Sequence, residues 1–274
     1  MKNYICVTCG TQYKAGDQPP SQCKICEDNR QYVGWSGQEW TTLEDMWKDG
    51  YKNVIRQLEP DLFGIGTEPG FGIGQRSLLV KTERGNVLWD PVSFLDSRTI
   101  EEVHALGGIQ AISVSHPHFY ASMIEWSHAF DRAPVFLTEA DREWIMRRDG
   151  VVSFFEGKID IMPGITVYQC GGHFPGSSIM HFKDGADGRG ALLAGDTIMV
   201  AMDRKTVSFM YSYPNLIPLS AVAIRNIADR VAPIAFDRIY SAWWDRDIMK
   251  NAGEIVSSSA QRYIEAISDR HVAR

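Results

Sequence analysis

Two sets of residues in this chain are spaced for metal chemistry. Cys6 and Cys9 form a C-x2-C pair, and Cys23 and Cys26 form a second one thirteen residues later. A two-residue gap lets both thiolates of a pair face one ion, and two such pairs complete a tetrahedral shell of four sulfurs. Further on, the stretch SHPHFYAS (115–122) puts His116 and His118 one residue apart, directly after an apolar run. Histidines at i and i+2 on a turn can both aim an imidazole at one point. His173 stands among glycines in GGHFPGS, and Asp196 precedes Thr197 in LLAGDT. Imidazole and carboxylate are suitable further donors to the same ion.

Composition narrows what such sites could serve. The 274 residues are 44% hydrophobic and 23% charged, which suits a globular chain with a full core. A net charge of -6 offers no basic surface for phosphate backbones, so no nucleic-acid partner is expected. No apolar stretch has the length to span a bilayer, and MKNYICVTCG has no apolar core of a secretion signal. Neither a membrane nor an export role is expected. Of the five cysteines, four fall in the two pairs, which fits metal binding in a reducing cytoplasm better than a disulfide framework. Zinc in a structural role is expected there, because so short a segment needs an ion to fold. YICVTCGTQY resembles the first knuckle of rubredoxin, but a rubredoxin has a much longer insert before its second pair.

The elements that must position these groups follow from periodicity. TTLEDMWKDG reads as a helix capped by Thr41, with Glu44 three residues on and Gly50 as its stop. SLLVKTERGNVLWD reads as a hairpin about residues 83–86. RTIEEVHALGG is a helix, and IQAISV is a strand that delivers the chain to His116. A helix over about 121–130, the strand APVFL and a helix capped near Thr138 come next. Strands VVSFF, ITVYQ, SIMHF and ALLAG follow. A helix at PLSAVAIRNIADRV, the strand DRIYSA and a terminal helix complete the chain. Strands mixed with helices throughout suggest two sheets covered by helices on their outer faces.

In this order, the hairpin ending in Leu88-Trp89-Asp90, the HxH turn, GGHFPGS and LLAGDT resemble the metallo-β-lactamase superfamily over roughly residues 60–270. The resemblance implies an α/β, four-layer αββα sandwich with its metal site at one edge, between the sheets. Two domains are expected: a zinc-ribbon or rubredoxin-like module at 1–34 and the metallo-β-lactamase-fold domain at 35–274. It also implies that His116, His118 and His173 form a first metal site, and that Asp196 bridges to a second. The family turn reads H-x-H-x-D-H; here Tyr120 and Ala121 replace the last two ligands, and Trp243 stands for a later histidine. One ion, zinc or else iron or manganese, is therefore expected in the main site. With Tyr120 and Trp243, the aromatics Tyr211 and Tyr213 of SFMYSYPN are expected to line a substrate pocket.

The function expected is metal-dependent hydrolysis of a small substrate. Tyr120 is assigned to the oxyanion or the water, and Asp196 to the metal or the water. Two alternatives stay open: a mononuclear iron oxygenase using His116, His173 and Asp196, and a non-catalytic metal- or ligand-binding protein. A homo-oligomer also stays open. Four histidines are set apart: His128, His104 and His271 on helices, and His181 within SIMHF as a core residue or a partner of the ligands. Cys170 reads as core, and GFGIG (70–74) as a loop near the site mouth.

Overall fold

The computed structural model describes residues 1–268; His271 lies outside them. A seven-stranded sheet is laid down in chain order by Lys52–Glu59, Leu62–Glu68, Arg76–Val80, Val87–Trp89, Ala111–Ser113, Val135–Thr138 and Val152–Phe155. Its first four strands pair antiparallel, and the remaining pairings are parallel. A six-stranded sheet follows, in the order Lys158–Met162, Ile165–Gln169, Ser178–Phe182, Ala191–Leu193, Arg238–Tyr240 and Asp247–Ile248.

Strand alternation sorts the apolar residues into three cores. Leu78, Val80, Val87 and Trp89 face Val167, Met180, Phe182 and Leu193 between the sheets. Their neighbours Leu79 and Leu88 point the other way, against Val103 and Ile124 of the helices Ser97–Ala105 and Met123–Ala129. On the second sheet, Ile179 and Leu192 pack on Ile224 and Ile227 of the helix Ala221–Val231, and on Val256 and Ala260 of Ala252–Ile267. Because successive strand residues point to opposite faces, one strand serves two layers. The result is the αββα sandwich. Among the described residues, no helix is long and apolar enough to cross a membrane.

Several local readings need correction. Thr42, not Thr41, caps the first helix by accepting from the Asp45 backbone N–H at 3.2 Å. Thr41 instead pairs with Ile5 in a two-stranded ribbon. The segment after Thr138 is a 3₁₀ helix, Glu139–Trp144, without a side-chain cap. Four strands of the two sheets that periodicity does not reveal are Lys52–Glu59, Leu62–Glu68, Lys158–Met162 and Asp247–Ile248.

The first thirty-odd residues wrap against the sandwich instead of standing off it. The Gln12 N–H donates to the Ala121 carbonyl at 2.9 Å, and the Ser93 hydroxyl donates to the Gly10 carbonyl at 2.8 Å. At the other end, Tyr211 donates to Asn29 Oδ1 at 2.5 Å, Ser212 to the Arg30 carbonyl at 2.9 Å, and Asn215 Nδ2 to the Asn29 and Gln31 carbonyls. GFGIG lies against the module, where a Cβ on Gly72 would sit 3.2 Å from the Gly10 nitrogen, and its Ile73 carbonyl accepts from Trp243 Nε1 at 3.3 Å.

Candidate metal centres

The four cysteine sulfurs form one buried cluster within 4.8 Å of one another. Cys6 to Cys26 and Cys9 to Cys23 are each 3.6 Å, far beyond a disulfide. Tetrahedral coordination at about 2.3 Å from zinc places sulfurs about 3.8 Å apart, so the cluster fits an ion of that kind. Tyr13 and Gln38 direct a hydroxyl and an amide N–H at Cys23 and Cys6. Hydrogen bonds from neighbouring cysteines hold the Cys6 and Cys23 thiols below their usual range, whereas burial pushes Cys9 up.

The second centre is built where strands of both sheets end. Ala111–Ser113 runs into Ser115 and His116, whose following Pro117 opens the 3₁₀ turn Pro117–Phe119. Proline is preset for that first position, and the tight turn brings His118 back beside His116, their ring centres 5.1 Å apart. His173 comes from the loop between Ile165–Gln169 and Ser178–Phe182. Asp196 follows Ala191–Leu193 through Gly195, which has φ +55°; a Cβ there would sit 2.6 Å from the Ser115 hydroxyl. Only glycine fits that approach without strain. The sheets are stitched together at this edge by the Ser178 N–H donating to the Ser115 carbonyl at 3.0 Å.

His116, His118, His173 and Asp196 each present one ligand atom, all within 4.8 Å of one another. His173 Nε2 lies 3.1 Å from His118 Nδ1, and His116 Nε2 lies 3.5 Å from Asp196 Oδ2. Nitrogens sharing a tetrahedral zinc at about 2.05 Å would be about 3.3 Å apart. A neighbour fixes the tautomer of His173. His173 Nδ1 faces the Met210 carbonyl at 3.1 Å, an acceptor only, so it carries the proton and leaves Nε2 free to ligate. His116 Nδ1 faces the Ser115 hydroxyl at 2.8 Å. Asp90 holds the turn by accepting from the Ser115 N–H at 2.7 Å.

All four ligands are buried. Burial holds His116 down to about 3, His173 down to about 4, and His118 well below its usual value. The positive charge of Arg30 adds to each depression. Neutral imidazoles at pH 7 are what ligation requires. Burial also pushes the Asp196 carboxyl up to about 6, a penalty that a divalent cation would reverse. His116 Nε2 and Asp196 Oδ1 are buried without any hydrogen-bond partner. A cation at the point where the four residues converge would satisfy His116 Nε2 and be met by the Asp196 carboxylate, so the residues present fit a metal.

The other expected site residues are placed differently. Tyr120 is buried in the core, with its hydroxyl 3.4 Å from the Asp141 carbonyl and engaged there. Tyr211 reaches away to Asn29, whereas Tyr213 stays at the centre: its hydroxyl donates to the Asp196 carbonyl at 3.0 Å, and its ring is 5.7 Å from His173. Trp243 packs its indole against Phe119 at 6.1 Å. His128 pairs with Asp149 on the surface, His104 packs on Phe130, and His181 faces the Ala235 carbonyl. Cys170 packs with the second sheet's helix layer.

Ser115, Asp90 and Arg30 escaped the sequence reading. Ser115 and Asp90 lie within the quoted motifs SHPHFYAS and Leu88-Trp89-Asp90, but no role was read for them there. Arg30 is brought to the centre by tertiary packing alone.

No family model matches the chain. It is 47% identical over 270 residues to the uncharacterized protein YmaE of Bacillus subtilis (strain 168), covering 98% of each sequence. Among solved structures, VMB-1 at pH 5.5 is similar with a TM-score of 0.58 at 14% identity, over 79% of this chain and 98% of that one. The DIM-1 metallo-β-lactamase gives 0.57 at 13%, with the same coverage. A Cronobacter sakazakii metallo-β-lactamase described by an HARLDQ motif gives 0.52 at 17%, over 83% and 99%. The fold is thus that of the metallo-β-lactamases, and at 47% identity over nearly its whole length the chain belongs to one family with YmaE.

Proposed function

We propose that the protein is a metal-dependent hydrolase of a small substrate, with one ion in the histidine centre and a structural zinc in the cysteine cluster. The observation that supports this most is the convergence of three neutral imidazoles and one carboxylate on a single buried point. Zinc suits that donor set best, with iron or manganese as alternatives. An ion there supplies Lewis acidity at neutral pH.

The chain's own part is orientation and exclusion of water. Ser115 and the Met210 carbonyl fix the His116 and His173 rings, and Tyr213 secures the backbone of Asp196. Asp196 Oδ1 has no hydrogen-bond partner, so it is free to ligate or to orient a reacting water. Tyr120, committed to Asp141, offers no ligand where the family turn has a carboxylate. A single ion is the consequence.

The test is turnover of a panel of esters, thioesters and lactams by zinc-loaded protein, with His118→Ala as the control. Hydrolysis lost in the variant supports the reading. Iron-dependent oxygen uptake without hydrolysis would replace it with an oxygenase, and no turnover by a fully loaded protein would leave a binding protein.

A further inference from the structure

The guanidinium of Arg30 belongs by sequence to the cysteine module, four residues after Cys26. In the fold it reaches the neighbourhood of the histidine centre through Phe174, the residue after His173. Its Cζ is 4.2 Å from the centroid of Phe174 and 4.7 Å from that of Tyr211. The Phe174 ring also lies 5.8, 4.9 and 5.2 Å from the rings of His116, His118 and His173.

Stacking of the guanidinium on Phe174 and Tyr211 joins the module to the body, alongside Asn29 Oδ1 and the carbonyls of Asn29, Arg30 and Gln31, which accept from Tyr211, Ser212 and Asn215. Of the guanidinium's N–H groups, Nη1 donates to Asp28 at 2.8 Å, and Nε is buried with no partner. Two aromatic faces fix the plane of a fork that has donors to spare. An unmet, buried, charged donor is an expensive feature to keep in a fold.

We propose that Arg30 is the anion-recognition residue of this site, and that the substrate carries a carboxylate placed so that its reacting group reaches the histidine centre. Asp28 already balances most of the guanidinium charge, so a singly charged, planar oxyanion suits the fork better than a phosphate dianion. This inference rests on the metal-centre reading above, but it does not need hydrolysis to hold.

The test uses full-length protein loaded with cobalt, and thiols that ligate it. 3-Mercaptopropionate and its uncharged analogue 3-mercaptopropionamide are titrated against the cobalt spectrum of the histidine centre, with His118→Ala subtracted to remove the cysteine site. The carboxylate should bind at least about tenfold more tightly, as one charge-assisted pair implies. Arg30→Met should abolish that preference while leaving the amide's affinity within about twofold, and Arg30→Lys should retain part of it. Equal binding of the two thiols by the wild type, or a preference surviving in Arg30→Met, would overturn the proposal. So would a cobalt-loaded centre that accepts neither thiol. Inorganic phosphate displacing the thiols better than acetate would overturn the carboxylate assignment. Should Arg30→Met fail to fold, the wild-type ratio and Arg30→Lys decide. A carboxylate preference without turnover on any substrate would sink the hydrolase reading alone; failure to load cobalt at the histidines would sink both.

Discussion

Ser115→Ala isolates one hydrogen bond at the histidine centre. The hydroxyl lies 2.8 Å from His116 Nδ1, and the backbone of Ser115 is held separately by Asp90 and Ser178. Truncation therefore removes the acceptor of the Nδ1 proton, together with a hydroxyl that also faces the Asp90 carboxylate. With an ion on Nε2, His116 must carry its proton on Nδ1, where it would be buried and unpaired. That situation costs about 1–3 kcal/mol, in line with the roughly 10- to 100-fold loss of affinity typical when a partner of a ligating histidine is removed. Without an ion, the imidazole can move its proton to Nε2, which faces Asp196 Oδ2 at 3.5 Å, so the metal-free protein should lose under about 1 kcal/mol. Zinc affinity is to be measured by chelator competition, subtracting His118→Ala, which retains only the cysteine-bound ion. Melting with and without zinc supplies the comparison of the two states. An affinity within twofold of wild type would refute the tautomer argument. An equal loss in both states would show that Ser115 supports folding and not ligation.

Three further outcomes are expected. Elemental analysis should give about two ions per chain; Cys9→Ser should lose one and melt about 5–10 °C lower, whereas His118→Ala should lose the other and keep the metal-free melting point. Asp141 is buried, and burial pushes its carboxyl up to about 6. The folded form thus keeps a proton that the unfolded chain has released, and stability should fall as pH rises from about 4 to 6, by up to roughly 3 kcal/mol; Asp141→Asn should flatten that fall, and parallel melting curves for the two proteins over this range would disprove it. Burial also pushes the Cys170 thiol up to about 12, so at pH 8 the metal-loaded protein should show no thiol fast toward a disulfide reagent, and chelation should release four.

The ligands were legible because each sits in a short motif with its own punctuation: two C-x2-C pairs, a proline inside HPH, glycines before His173 and Asp196. The two helix-covered sheets were legible from apolar runs such as IQAISV and ALLAG. Lys52–Glu59 was not, because it is largely solvent-facing and its charged residues mask the alternation. The cap moved from Thr41 to Thr42 because pairing with Ile5 claimed Thr41. The place of the Tyr120 hydroxyl follows the same logic: local spacing says where a side chain starts, and the core around Asp141 decides where it ends. Arg30 and Phe174 are 144 positions apart, and no window of sequence reports such a contact.

The strap at 29–31 links the two centres. It lies against the 210–215 segment, whose Met210 carbonyl holds the ring of His173, and its own shape depends on the neighbouring cysteine cluster. A disturbance at the cysteine cluster would therefore reach the His173 ring through residues 29–31 and 210–215, by contacts that neither set of candidate ligands makes directly with the other.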